Sequence, residues 1–250
     1  MSLDLSDYEV KAKKAVRQFW KQRGSASKKN SSSERRDQGE RGAVTAGKNM
    51  DGFVQLVKDV VRANGLPDAE CHVTKQLLTL PGYFRPTKMW DLVVTHQDHL
   101  VAAIEFKSHV GPSFGNNFNN RTEEALGTAT DIWTAYREGA FGKGAPQPFV
   151  GWLMLLEEAE GSTKNSRLET LPKFAPLPEF INASYARRYE ILCEKLVREQ
   201  LYTACALMLS PRDAASSGGY REMSQGTGLH QFLARLAAFV AAETSKLVSS

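Results

Sequence analysis

The twenty residues MWDLVVTHQDHLVAAIEFKS, Met89 to Ser108, restrict the fold of this chain more than any other stretch. Two apolar runs flank a short polar turn, which is the pattern of a β-hairpin. Taking Gln97, Asp98 and His99 as the turn sets His96 opposite Leu100, Leu92 opposite Ile104 and Asp91 opposite Glu105. Successive side chains of a strand point to opposite faces. Leu92, Val94, Ala102 and Ile104 then share one face, while Asp91, Val93, Ala103, Glu105 and Lys107 share the other. One register thus gives an apolar face and, on its reverse, two carboxylates beside an ammonium.

Two carboxylates on one sheet face repel each other unless a cation lies between them. An oxygen-only donor set suits Mg²⁺, which keeps several waters and accepts phosphate oxygens. The carbonyl of Phe106, between Glu105 and Lys107, is a further candidate ligand, and Lys107 is placed to orient or deprotonate a water. A Lewis acid, an activated water and charge stabilisation are what phosphodiester hydrolysis requires. Glu-x-Lys alone is a weak signal and recurs at Glu9-Val10-Lys11, where no hairpin partner exists. The competing reading is an edge hairpin with exposed, partly paired charges. Glu40 and Asp51 are left open as a third carboxylate.

Composition narrows the class. With 250 residues, 42% hydrophobic and 24% charged, the chain is an ordinary globular protein rather than a collagen-like, disordered or disulfide-scaffold one. Cys71, Cys193 and Cys205 are an odd, widely spaced set, expected as buried fillers in a reducing cytoplasm. The histidines form no HExxH pair. The longest apolar run, Phe149–Leu156, is too short to cross a bilayer, and Asp4, Asp7 and Glu9 interrupt any apolar N-terminal stretch. Charge is uneven. Residues 1–48 carry 12 basic and 6 acidic side chains, from Lys11 through Lys28, Lys29, Arg35 and Arg36 to Lys48. Such a segment can neutralise phosphates through counterion release, though a solvated helix and linker have the same composition.

Along the chain, residues 4–22 read as an amphipathic helix, 23–47 as a flexible basic segment able to order on binding, and 48–250 as the catalytic core of one domain. Phe53, Leu56, Val57, Val60 and Val61 mark a helix over 49–64. Strands are expected at 70–75, 89–96, 100–107, 148–156 and 203–209, and further helices at 122–138, 183–201 and 229–246. This order predicts an α/β fold, a central mixed β-sheet flanked by helices. The stretch 108–121 is predicted as a polar loop with Thr122 capping the next helix. Its Asn116, Asn117, Asn119, Asn120 and Arg121 are candidate DNA contacts, because Asn bonds adenine and Arg bonds guanine bidentately. Phe114 and Phe118 are expected as buried loop anchors.

Three segments, YFRPTKMWDLVV (83–94), AAIEFKSHVGPSFGNNFNNRTEEALGTATDIWTAYREGAFG (102–142) and SYARRYEILCEKLVRE (184–199), resemble the XhoI family of type II restriction endonucleases. That resemblance implies the PD-(D/E)xK fold, with Asp91 as the metal-binding aspartate and Glu105 and Lys107 as second carboxylate and catalytic lysine. Trp90 stands where the motif's name has proline. It further implies Mg²⁺-dependent cutting of double-stranded DNA at CTCGAG after the first C, leaving 5′ overhangs. A palindrome implies a homodimer, and host protection implies a cognate DNA methyltransferase. The runner-up is a repair or structure-specific nuclease on the same core.

Overall fold

The structure is a computed structural model that describes residues 3–30, 49–73, 77–166 and 173–248. A six-stranded mixed sheet forms its centre, built from β1 (Glu70–His72), β4 (Leu92–His96), β5 (His99–His109), β6 (Phe149–Glu157), β7 (Ala204–Ser210) and β8 (Arg221–Glu222), in the order β1-β4-β5-β6-β7-β8. The β5-β6 and β6-β7 pairs are parallel and the other three antiparallel. The apolar run PFVGWLMLL supplies the central strand β6, all nine residues of which are buried, as expected of a strand covered on both faces. A second, two-stranded ribbon, β2 (Thr79–Pro81) with β3 (Thr87–Met89), stands apart from this sheet.

One face carries α1 (Tyr8–Asn30), α2 (Asp51–Ala63) and the last helix, α5 (Leu229–Val248). They pack Val16, Phe19, Phe53, Val57, Phe232 and Leu236 on Leu92, Val94, Ala102 and Ile104. The other carries α3 (Phe114–Arg137) and α4 (Tyr185–Arg198), whose Ala129, Ile132, Tyr189 and Leu196 lie on Val93, Ala103, Trp152 and Leu207. Both apolar layers follow from helical and strand periodicity in the sequence. Among the described residues no helix is long and apolar enough to cross a membrane.

Several expectations are corrected. The first helix does not stop at 22: it runs through Gly24 to Asn30. Gly24 has open space around it and Ser25 donates its hydroxyl to the Lys21 carbonyl, so a helix already docked by its first turns simply propagates. The remainder of the basic segment, 31–48, lies outside the described residues, as does Glu40. The expected strand 89–96 is broken at Trp90-Asp91, Met89 belonging to β3. The expected loop 108–121 is mostly helix, since β5 reaches His109 and α3 begins at Phe114. Asn and Gly disfavour helix locally. Packing of Phe114 and Phe118 against Tyr185 and Tyr189 overrides that preference. Thr122 is consequently an interior helix residue donating to the Phe118 carbonyl, not a cap.

Candidate active site

The hairpin forms by a different route from the one expected, yet reaches the same register. Its turn has two residues, Gln97 and Asp98, both at positive φ (47° and 64°), which pairs His96 with His99. This matches the right-handed twist of the flanking strands. An irregularity between Val94 and Thr95 then passes over Val101, so that Val94 faces Ala102 and Leu92 faces Ile104. The short turn and the bulge offset one another, and the site registers as the alternation predicts.

Beyond Leu92↔Ile104 the β4 strand ends while β5 continues beside β6. There the Asp91 carboxylate takes the place of a ladder partner: Oδ2 accepts the Phe106 N–H at 2.8 Å. Glu105 and Lys107, two apart on β5, project to the same side as Asp91. Lys107 Nζ is ion-paired with Glu105 Oε2 and lies 3.8 Å from Asp91 Oδ2. The three predicted residues therefore meet.

The structure adds a fourth charge. Lys88 of β3 donates from Nζ to the other oxygen of Glu105 and lies 5.2 Å from the Trp90 ring centroid. An unbroken strand would place Lys88 and Asp91 on opposite faces. The break at Trp90-Asp91 brings both to Glu105, which is why strand alternation could not find Lys88. Buried Trp90 fixes that break, its N–H donating to the Leu78 carbonyl at 2.9 Å.

Electrostatics separate the two carboxylates. Burial disfavours charge on Glu105, but Lys107 and Lys88 outweigh it and hold its pKa below the usual carboxylate value. Burial and then the Glu105 charge push the Asp91 pKa up, against the pull of Lys107. For Lys107 itself burial opposes the ammonium, yet Glu105 and Asp91 prevail and raise its pKa. Asp91 is thus a carboxylate whose ionised form a further cation would stabilise.

The site opens into a cleft of about 760 Å³ walled by Phe84, Arg85, Lys88, Arg121, Thr128 and Asp131. Of the five predicted DNA contacts, Arg121 reaches this wall, where it pairs with Glu124. Asn116, Asn119 and Asn120 are exposed on the first turns of α3, and Asn117 is half-buried. Asp51 opens α2, on the opposite layer of the sheet. The two carboxylates, Asp91 and Glu105, form an oxygen donor set that fits a small hard cation completing its shell with water and substrate oxygens. Among the described residues no group of three or more His, Cys, Asp or Glu offers an alternative centre.

Residues 29–222 match the family profile described as Restriction endonuclease XhoI. The chain belongs to the XhoI family of type II restriction endonucleases. It is 62% identical over 174 residues to the type II restriction enzyme AbrI of Azospirillum brasilense, covering 70% of this chain and 77% of that protein. It is 54% identical over 198 residues to the type II restriction enzyme XhoI of Xanthomonas vasicola (79% and 78%). With the type II restriction enzyme BstVI of Geobacillus stearothermophilus it shares 46% over 220 residues (86% and 97%). No solved structure matches the chain. Family membership sets aside the repair-nuclease alternative.

Proposed function

We propose that this endonuclease acts as a homodimer on the palindrome CTCGAG in double-stranded DNA, cutting each strand after the first C to leave 5′ phosphates and 5′ overhangs. The observation that carries the catalytic assignment is the position of Lys107 Nζ, in ion-pair range of both Asp91 and Glu105 at the open edge of β5. Membership in the XhoI family supports the target, and a self-complementary target supports two-fold symmetry. A methyltransferase of the same specificity protects the host genome.

Asp91, Glu105 and the Phe106 carbonyl are assigned as the Mg²⁺ ligands. When bound, the ion supplies Lewis acidity at the scissile phosphate and a lowered pKa for the attacking water. The protein supplies the rest. Lys107 donates to a phosphate oxygen or the attacking water and stabilises negative charge building on the non-bridging phosphate oxygens. Lys88 neutralises the buried Glu105 and keeps its carboxylate directed at the cleft. The Phe106 N–H fixes the Asp91 rotamer. Arg121 on the cleft wall contacts the DNA, and the exposed Asn116, Asn119 and Asn120, with Asn117 beside them, extend that contact along α3.

Digestion of a long duplex with Mg²⁺, followed by sequencing of the fragment ends, tests the proposal. Discrete fragments ending 5′-TCGAG are expected. Ends at another sequence overturn the target, and a smear without limit fragments overturns site-specific cutting by this protein.

A further inference from the structure

The β2–β3 ribbon ends in the loop Gly82-Tyr83-Phe84-Arg85-Pro86, which presents two aromatic rings to solvent. Tyr83 is 53% and Phe84 69% exposed, and their rings meet edge to face at 4.9 Å. Exposed apolar surface of this kind forgoes burial energy that folding would otherwise gain. The loop beneath the rings is nevertheless tightly held. Asp131, a buried residue of α3, accepts the Tyr83 and Phe84 N–H groups on Oδ1 at 2.9 and 2.8 Å and Arg85 Nε on Oδ2 at 2.7 Å. A Cβ at Gly82 would lie 2.6 Å from the Arg85 carbonyl oxygen and 2.7 Å from Asp131 Oδ2, so glycine is required for this close approach. The fold thus commits a buried carboxylate and a glycine to fixing a pair of rings that pack on no core.

Their location points to what they contact. Phe84 and Arg85 wall the same cleft as Glu105 and Lys107, and Lys88, two residues after Pro86, reaches Glu105. A duplex whose phosphate reaches Lys107 must therefore pass beside Phe84. We propose that the Tyr83–Phe84 tip is a DNA-contacting element, in which the Phe84 ring packs against the bases at the step adjoining the cleaved bond and partly unstacks them. Apolar wedges act in this way on flexible base steps, and aromatic rings stack on any base because every base has a π-face. The proposal rests on the assignment of this cleft as the site of the scissile phosphate.

The test uses the full-length protein and a duplex containing its cleavage site, with 2-aminopurine at the base flanking the cut. Binding is measured without metal, by anisotropy of a labelled duplex and by 2-aminopurine emission. Phe84→Ala is expected to bind about tenfold more weakly and to lose the emission rise seen with the parent, while its Tm and sedimentation coefficient are unchanged. Tyr83→Ala, whose ring buttresses Phe84, is expected to show a smaller loss in the same direction. Undiminished affinity and emission in Phe84→Ala overturn the proposal. A shift of Phe84→Ala to a slower-sedimenting species also overturns it, in favour of a contact between protein subunits. Lys107→Ala, measured in parallel for cleavage, separates the two assignments: full cutting by that variant removes the catalytic assignment itself, whatever Phe84 does.

Discussion

His109, two residues past Lys107 on β5, offers a quantitative test of how this strand is anchored. The side chain is buried between α3 and α4, its ring tilted against Phe114 and edge to face with Tyr189. Its Nε2 faces the Ser113 carbonyl at 3.3 Å, and a carbonyl only accepts, so Nε2 carries the proton. Nδ1 is then bare and accepts the Tyr189 hydroxyl at 2.8 Å. Burial lowers the imidazole pKa to about 4, against the pull of the Ser113 carbonyl. An unfolded histidine titrates near ~6.5. The folded state therefore binds the proton more weakly than the unfolded one. Stability is full above ~6.5, where both states are neutral, and declines as pH falls toward the folded value. Linkage between these two values gives a loss of about 2 kcal/mol at pH 5 and roughly 3 kcal/mol below pH 4. His109→Gln retains a donor and an acceptor but does not titrate. In urea unfolding at about pH 7 and pH 5, without metal, the stability gap between parent and variant should narrow by about 2 kcal/mol at the lower pH. Groups common to both proteins cancel in that difference. A gap that stays constant between the two pH values refutes the neutral, buried imidazole.

Three further outcomes are expected. Asp91→Ala and Glu105→Gln should each lower the single-turnover cleavage rate by about 10³-fold or more, while metal-free DNA binding by gel shift persists; normal cutting by either variant refutes their assignment. Lys88→Met leaves one Glu105 oxygen without its cation and should reduce cleavage by about 10–100-fold, as loss of an outer partner to a metal ligand does; an unchanged rate at limiting Mg²⁺ refutes a role for it. Asp131→Ala removes three hydrogen bonds to a carboxylate and should destabilise the protein by about 2–4 kcal/mol in urea unfolding, the freed N–H groups regaining water in part. Burial would raise the Asp131 pKa, but Arg85 and the Phe84 and Tyr83 N–H groups lower it overall. Its stabilisation is thus present above ~4 and lost on further acidification, so the Asp131→Ala defect should shrink as pH falls through that range.

Local repetition along the chain is enough to specify the elements that have a period. Alternation in LVV and AAI fixed which side of the hairpin carries Asp91, Glu105 and Lys107, and the 3.6-residue period fixed the buried faces of α1 and α2. Those patterns survive local errors: the two-residue turn and the Val101 bulge differ from expectation, yet the carboxylates meet, because only one register buries Leu92 and Ile104 together. Features that depend on partners distant in the chain emerge only on folding. Asn-rich residues 116–120 became helix because Phe114 and Phe118 found Tyr185 and Tyr189 some 70 positions on. Lys88 entered the site because Trp90 is buried where the strand breaks, and the exposed rings of Tyr83 and Phe84 are held by an aspartate 47 residues beyond Phe84. A short window of sequence records the periodicity of burial, but it holds no record of which remote group satisfies a given charge or N–H. Those pairings are settled only when the sheet and its two helical layers close on each other.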